Sequence, residues 1–199
     1  MFALTDNMLQ KTKEWLNTRI TLIASALAKA GFNQNSITIL GFSLGVLASF
    51  FLASGSQMLA GLVIFVCGFF DMINGPLVRI SRAQTKFGGV LDSFVNRYVD
   101  FMFIAGIFIG GLSEAGGLPG WMWCMLALSG SFMVSYTRAR GEAAGSGNLD
   151  IGIAGRAERL LVLAITSLLG YARYGLALLV FMSHFTAFQR LLATKRRLG

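Results

Sequence analysis

The stretch SITILGFSLGVLASFFLAS, at residues 36–54, contains no charged side chain and decides the class of fold. A run of this length matches the roughly 20 residues that an α-helix needs to cross the hydrocarbon core of a bilayer. The composition agrees, because 55% of the residues are apolar and only 13% are charged, whereas soluble domains contain about 25% charged residues. The sequence therefore excludes an ordinary soluble globule and a disordered chain, and it predicts an all-α integral membrane protein.

Five further apolar stretches follow along the chain, at residues 57–78, 88–113, 117–137, 151–172 and 174–189. Since each crossing needs about 20 residues, six transmembrane helices account for nearly all of the 199 residues. We therefore predict a single membrane domain over residues 1–199. It comprises an N-terminal helix, a six-span bundle and a basic cytoplasmic tail, at residues 7–30, 36–190 and 191–199.

The N-terminal helix has a different pattern from the spans. Its apolar residues recur at helical spacing near one face, at Leu9, Leu16, Ile20, Ile23 and Leu27. Lys11 and Glu14 point away from that face. The pattern predicts an amphipathic helix that lies in the cytoplasmic interface of the membrane.

The basic residues are distributed unevenly between the loops that join the predicted spans. Most lysines and arginines lie before the first span, between the second and third, between the fourth and fifth, and after the sixth, whereas the other loops contain one basic residue, Arg173. Cytoplasmic loops carry such an excess of basic residues, so we predict that both termini are cytoplasmic and that the cell membrane is the location. The formal charge of +8 is then a topology signal, and no nucleic-acid partner is predicted.

Polar residues interrupt the second and third spans near their predicted cytoplasmic ends. They form two stripes, one at Asp71, Asn74, Gly75 and Arg79 and the other at Gly88, Asp92, Asn96 and Asp100. Residues four apart share one face of a helix, and the short loop makes the two helices antiparallel neighbours, so the stripes can face each other. Carboxylate and amide oxygens suit hard cations such as Mg²⁺ or Mn²⁺. A ligand site and a polar network that braces the two helices are both open interpretations.

Residues 71–79, DMINGPLVR, and residues 88–96, GGVLDSFVN, match every spacing of a longer pattern. The CDP-alcohol phosphotransferases carry D-x2-D-G-x2-A-R-x8-G-x3-D-x3-D, and the chain resembles this family. Residues 35–38, NSIT, resemble the family's P-N-x-x-T segment, with Gln34 in place of proline. Residues 135–142 and 155–159 resemble the branch that makes phosphatidylinositol phosphate or archaetidylinositol phosphate.

The resemblance implies a six-span membrane transferase of phospholipid biosynthesis that forms a homodimer. Such an enzyme moves a phosphatidyl-type group from a CDP-linked lipid, for example CDP-diacylglycerol or its ether analogue, to an alcohol acceptor and releases CMP. The implied cofactor is Mg²⁺ or Mn²⁺, and inositol phosphate is the acceptor that we expect. The active site would face the cytoplasm.

The resemblance also implies roles for individual residues. The metal ligands would be Asp71, Asn74, Asp92 and Asn96. The catalytic residues would be Asp92 and Asn96, with Asn96 at the position of the family's general base. The nucleotide-binding residues would be Asn35, Thr38, Asp71, Gly75, Arg79 and Gly88. The residues that bind the acceptor's phosphate would be Ser135, Arg138, Arg156 and Arg159, although membrane anchoring also explains these arginines.

Asn74 and Asn96 stand where the family pattern has aspartates. An amide offers an oxygen ligand without charge and cannot serve as a base at neutral pH, and general-base catalysis contributes about 10²–10⁴-fold. We therefore expect weaker metal binding and impaired turnover. Three accounts are open: an engineered inactive variant, a degenerate homologue that binds without turnover, and Asp100 as a substitute base, which lies about 6 Å further along the helix.

Two other classes of function compete with the transferase. One is a non-catalytic membrane protein that binds CDP-lipid or metal, and catalytic turnover distinguishes it from the enzyme. The other is a small transporter, which predicts charges near the middle of several helices, whereas the acidic residues here cluster near the ends of two.

Overall fold

The structure, a computed structural model, describes residues 18–81 and 85–199. Within these ranges it is helical, and its one β-type feature is an isolated bridge between Ala115 and Leu118. The prediction of an all-α chain is confirmed. The helices are α1 at residues 18–29, α2 at Gln34–Ala53, α3 at Gln57–Ser81, α4 at Lys86–Ile109, α5 at Gly120–Ala143, α6 at Arg156–Leu168 and α7 at Ala172–Leu198.

Side chains cap the two helices that begin next to the polar stripes. Asn33 accepts a hydrogen bond from the backbone N–H of Ser36 at 3.0 Å, which begins α2. Thr85 accepts one from the N–H of Gly88 at 2.9 Å, which begins α4. Each cap satisfies a backbone donor that has no partner inside its helix.

Helices α2 to α7 form a closed ring that does not follow chain order. Around the ring the neighbours are α2, α3, α6, α7, α5 and α4, and α4 packs again on α2. Gly106 permits the close contact between α4 and α2, because a Cβ there would lie only 2.6 Å from the carbonyl oxygen of Ser49. Helix α4 packs directly on α2 and α5, and its polar stripe reaches α3 and the start of α6 through side chains, in the contacts of Asp92 with Asn74 and of Asp100 with Arg156.

Helix α1 packs against the C-terminal half of α3. Ile20 and Ala24 are buried against Ile73 and Leu77, and Leu27 lies at the edge of this cluster. Ile23, which we predicted on the apolar face, is exposed because Ala24 takes the contact with α3. Residues 7–17 of the predicted interfacial helix lie outside the described residues.

Three of the described helices are long and apolar enough to cross a membrane, namely Gln34–Ala53, Gln57–Ser81 and Ala172–Leu198. Large apolar side chains such as Phe50, Met58 and Phe181 point outward and are exposed. A surface of this kind suits contact with lipid, so the chain is a membrane protein. The six-span arrangement stays a prediction.

The fifth predicted span is shorter than expected. We predicted it at residues 151–172, but α6 contains only 13 residues, about 20 Å of helix, compared with roughly 30 Å of hydrocarbon core. The residues before it form a loop, in which Gly152 has a φ of +105° that only glycine adopts readily. At the other end of the chain, the predicted basic tail continues α7 as far as Leu198.

Candidate functional site

A cavity of about 590 Å³ lies where the two polar stripes meet. Its lining includes six of the predicted site residues on α3 and α4, together with Arg156 of α6, and we call it the acid–amide cavity. The full lining is Gln34, Asp71, Met72, Asn74, Gly75, Val78, Arg79, Asp92, Asn96, Arg156 and Ala157. The structure thus brings the four implied metal ligands into one cavity.

The carboxylate of Asp92 is the centre of the hydrogen bonding in this cavity. Its Oδ1 accepts from the Asn74 amide at 2.8 Å and from the Thr38 hydroxyl at 3.2 Å. Its Oδ2 accepts from the Asn96 amide at 3.1 Å. Both asparagines therefore act as donors to Asp92, a role that an ionised aspartate at either position could not perform.

The carboxylate of Asp71 has a charged partner instead. The guanidinium of Arg156, at the start of α6, contacts it directly. Arg156 also lies 3.4 Å from Asp100 on α4, through its Nε atom. One arginine of α6 therefore connects an acidic residue of α3 with one of α4.

Asp100 lies at the centre of a buried cluster of arginines. Besides Arg156, it accepts from Arg159 at 2.9 Å and from Arg97 at 3.0 Å. Asp100 is only 8% exposed. Asp100 is engaged by three guanidinium groups and does not line the acid–amide cavity, which disfavours the account in which Asp100 replaces the missing base.

A second cavity, of about 500 Å³, adjoins the first and is rich in arginine. We call it the arginine cavity. It is lined by Ser93, Arg97, Val134, Ser135, Arg138, Ala139, Glu142, Asp150, Gly155, Arg156, Arg159 and Arg190. All four residues that we predicted for the acceptor's phosphate, Ser135, Arg138, Arg156 and Arg159, therefore lie around one space.

Arg97 and Arg190 also line this cavity, and the sequence reasoning missed both. Arg190 is only 3% exposed and donates to the carbonyl oxygens of Val134, at 2.7 Å, and Ile151, at 2.9 Å. In the sequence Arg190 directly follows the last predicted span, where a basic residue indicates topology and not a ligand site. Arg97 follows Asn96 directly and lies three residues before Asp100, a spacing that indicates a salt bridge within the helix. The sequence therefore contains no separate indication that Arg97 lines a ligand site.

Two carboxylates lie at the exposed edge of the arginine cavity. Arg138 donates to Glu142 at 3.1 Å and to Asp150 at 3.0 Å. Glu142 also accepts from the backbone N–H of Leu149 at 3.0 Å. That backbone hydrogen bond, followed by Arg138, holds the pKa of Glu142 below its ordinary value, so Glu142 is charged at neutral pH.

Three of the predicted nucleotide-binding residues do not line the acid–amide cavity. Asn35 is exposed on the first turn of α2. Gly88 packs against the side chain of Gln34, which takes the place of the family's proline and itself reaches the cavity. Thr38 contributes indirectly, through its hydrogen bond to Asp92. Asp71, Gly75 and Arg79 do line the cavity.

The donor set of the acid–amide cavity is suited to a hard cation, although it has few charges. Among the residues that the structure describes, no three His, Cys, Asp or Glu side chains form a metal-binding group. Amide oxygens extend the set, however, and the Oδ1 of Asn74 is buried without a hydrogen-bond partner. A buried acceptor of this kind needs a partner, and beside the two carboxylates a cation would supply one.

Comparison with known proteins agrees with the motif. The family model for CDP-alcohol phosphatidyltransferase matches residues 33–189. Archaetidylinositol phosphate synthase of Pyrococcus horikoshii is 39% identical over 191 residues, which are 96% of this chain and 98% of that protein. Archaetidylinositol phosphate synthase of Methanothermobacter thermautotrophicus is 33% identical over 201 aligned positions, covering 98% of each chain.

Solved structures share the fold. Phosphatidylinositol phosphate synthase of Mycobacterium tuberculosis, in complex with manganese and citrate, aligns with a TM-score of 0.76 and 27% identity over 90% of each chain. The same enzyme with CDP-DAG bound aligns with a TM-score of 0.73 over 88% of this chain and 92% of that one. Since the family model spans residues 33–189 and the curated relatives align over nearly the full chain, this chain belongs to the CDP-alcohol phosphatidyltransferase family.

Proposed function

We propose that this protein transfers a phosphatidyl-type group from a CDP-linked lipid to an inositol phosphate, with release of CMP, and that Asn74 and Asn96 make the turnover slow. The observation that carries the proposal is the junction of two cavities with different chemistry. One has the oxygen ligands and Arg79, whereas the other has five arginines around a space of suitable size for a phosphorylated alcohol. A donor pyrophosphate and an acceptor phosphate can thus lie side by side.

The acid–amide cavity would hold Mg²⁺ or Mn²⁺ through Asp71, Asp92 and the oxygens of Asn74 and Asn96. When bound, the cation would offset the negative charge that develops on the pyrophosphate. Arg79 contributes a fixed positive charge in the same cavity, and Gly75 lets the nucleotide approach the backbone of α3. Both carboxylates now have partners within the chain, so the cation competes with them and binds more weakly than at four aspartates.

The arginine cavity would hold the phosphate of the acceptor and present its hydroxyl to the donor. Arginine binds phosphate well because its guanidinium makes two parallel hydrogen bonds. Arg138 of α5 and Arg156 of α6 both line this space. Ser135 offers an additional hydroxyl one turn before Arg138.

In the reaction, the acceptor's hydroxyl oxygen forms a bond to the lipid-side phosphorus. The bond from that phosphorus to the bridging oxygen breaks, and CMP leaves with the electron pair. The hydroxyl proton must go to a base. Asn96 occupies that position and cannot accept it, while the Asp92 carboxylate is held by three donors. Slow turnover follows from the missing base.

The test measures CMP release by the purified protein with CDP-diacylglycerol, Mg²⁺ or Mn²⁺ and inositol 1-phosphate. A variant with Asn74→Asp and Asn96→Asp should be faster by about 10²–10⁴-fold, the usual contribution of a general base. Equal rates in both proteins would contradict the role assigned to Asn96. No release by either, with the ether-linked lipid also tested, would contradict the transferase proposal.

A second candidate function is binding of the CDP-lipid without turnover. The specific observation in its favour is the saturation of Asp92 by two amides and a hydroxyl, which leaves no free base in the cavity. Binding of CDP-diacylglycerol by a protein that releases no CMP, when the double variant does release it, would establish this candidate.

The membrane arrangement is proposed on the same basis. We place the six helices α2 to α7 in the cell membrane, with both termini and both cavities on the cytoplasmic side, where the basic residues concentrate. Labelling of single cysteines introduced near Arg173 and near Lys195, in intact cells, tests the orientation: only the first should react with an impermeant reagent. The homodimer implied by the family stays a prediction.

A further inference from the structure

Arg156 occupies a special position between the two cavities. Of the residues that the structure describes, only Arg156 lines both of them. Its guanidinium contacts Asp71, one of the proposed cation ligands, while its Nε faces Asp100 at 3.4 Å. A single positive charge therefore serves as the counter-ion at the proposed cation site and as part of the proposed phosphate site.

The two roles of Arg156 exclude each other. A divalent cation bound at Asp71 repels a guanidinium on the same carboxylate, because like charges at contact distance are strongly unfavourable in a partly buried site. Asp100 cannot fully compensate, since Arg97 at 3.0 Å and Arg159 at 2.9 Å already occupy it. The displaced guanidinium then has one remaining direction with room for an anion, which is the arginine cavity.

The position of Arg156 in the chain favours this exchange. It is the first residue of α6, after Gly155, which makes no side-chain cap. The helix dipole repels a positive side chain at the N-terminus of a helix. Arg156 therefore keeps its place through its contact with Asp71, and only while no cation is bound to that carboxylate. The residues before Arg156 form a loop, in which Gly152 has a positive φ. Because no helix or strand directly precedes Arg156, its side chain has room to change direction.

We propose that Arg156 is an exchangeable counter-ion that couples the two cavities. In the cation-free protein it neutralises Asp71. Cation binding at Asp71 transfers its guanidinium to the arginine cavity and so raises the affinity of that cavity for a phosphate group. The proposal rests on the cation and phosphate sites of the proposed function, but not on the identity of the lipid or of the alcohol, nor on turnover.

The coupling has a quantitative consequence. If the cation raises the affinity for phosphate by some factor, phosphate must raise the affinity for the cation by the same factor. Typical couplings lie at about fivefold or more. A residue that only stabilised the start of α6 would produce no such linkage.

The experiment uses the full chain in detergent, with Mn²⁺ and inorganic phosphate as the only ligands. The EPR signal of free Mn²⁺ measures cation binding, and titration calorimetry measures phosphate binding with and without Mn²⁺. In the unaltered protein each ligand should raise the affinity for the other by about fivefold or more. In Arg156→Gln the affinity for Mn²⁺ should rise, because the competing charge is gone, while phosphate binding weakens and becomes independent of Mn²⁺.

Three further variants separate the exchange from general electrostatics. Asp71→Asn frees Arg156 and should raise the affinity for phosphate in the absence of cation. Asp92→Asn removes the same charge from the same cavity without touching Arg156, so its effect on phosphate should be much smaller. Arg173→Gln, at an exposed position in the first turn of α7, controls for the loss of one positive charge and should change neither affinity.

Several outcomes would overturn the proposal. A lower affinity for Mn²⁺ in Arg156→Gln would mean that Arg156 supports the cation site and does not compete for it. A linkage that persists in Arg156→Gln, or equal effects of Asp71→Asn and Asp92→Asn, would assign the coupling to direct charge interaction. Absence of Mn²⁺ binding in all variants would also overturn it, and the CMP-release assay would then decide separately on the proposed function.

Discussion

The two cavities share Arg156, yet they satisfy their charges in opposite ways. In the acid–amide cavity each carboxylate has a partner from the chain itself: two amides and a hydroxyl hold Asp92, and Arg156 holds Asp71. The lining of the arginine cavity contains five guanidinium groups but only two carboxylates, Glu142 and Asp150, both at its exposed edge. Asp100, which is not part of the lining, contacts Arg97, Arg156 and Arg159. In the first cavity the chain therefore satisfies both carboxylates and leaves the Oδ1 of Asn74 without a partner, whereas the lining of the second cavity has an excess of positive charge.

This difference shows where the chain departs from its family. Ser135, Arg138, Arg156 and Arg159 of the arginine cavity lie in the segments that resemble the inositol-phosphate branch, and the departures at Asn74 and Asn96 fall in the other cavity. Four aspartates in this cavity would repel one another. With asparagine at positions 74 and 96, the two amides instead donate hydrogen bonds to Asp92. The exchange stabilises the cation-free site and removes the base, so binding of the acceptor and catalysis should respond very differently to mutation.

The largest effect is expected from restoring each aspartate alone. Asn96→Asp returns a proton acceptor and should account for most of the 10²–10⁴-fold rise expected from general-base catalysis, about 3–5 kcal/mol in the barrier. Asn74→Asp adds a charged ligand without a base, so it should mainly lower the Mn²⁺ concentration needed for half-maximal CMP release. Measuring the rate of CMP release against Mn²⁺ concentration for both variants tests this assignment. A larger rate increase from Asn74→Asp than from Asn96→Asp would mean that position 74, and not position 96, carries the base.

The convergence of Asp71, Asn74, Asp92 and Asn96 could be predicted from the sequence because it depends on local geometry. Residues four apart share a helix face, and the short loop keeps the two stripes close together. Among the described residues, the predicted direct packing of the second span on the third does not occur, because α2 lies between α3 and α4 in the ring, and Asn74 and Asp92 meet through their side chains. The arginine cavity was predictable only in part. Arg190 is buried through carbonyl groups 39 and 56 residues away in the chain, and no periodic pattern encodes contacts of that separation.

The length of α6 could not be predicted for a different reason. Hydropathy counts Ile151 and Ile153 towards a span, although both precede the helix and belong to the loop that leads to Arg156. The backbone N–H of Ile153 donates to the hydroxyl of Thr186, 3.2 Å away on α7. A buried threonine thus satisfies a non-helical backbone, and sequence reasoning has no signal for that pairing.

The next largest effect is expected on stability, from Asp100 compared with Asp92. Asp100→Ala leaves Arg97, Arg156 and Arg159 without their common partner, and uncompensated buried charge costs about 3–5 kcal/mol. Asp92→Ala leaves only neutral donors unpaired, at about 1–3 kcal/mol. Thermal unfolding in detergent should therefore show the lower melting temperature for Asp100→Ala. The reverse order would mean that the arginine cluster is stabilised mainly by solvent or lipid.

The smallest effect is expected at the exposed edge of the arginine cavity. Asp150 competes with a phosphate for Arg138, at 3.0 Å, but its side chain is 65% exposed, and exposed pairs contribute only about 0.2–1 kcal/mol. Asp150→Asn should therefore raise the affinity for inorganic phosphate by fivefold at most. The gain should shrink as salt is added, because exposed charges are screened. Glu114→Gln, which removes the same charge in the loop between α4 and α5, should show no gain. A large increase in phosphate affinity from Asp150→Asn that does not depend on salt would contradict this expectation. It would mean that the loop around Asp150 closes the cavity and limits the entry of the acceptor.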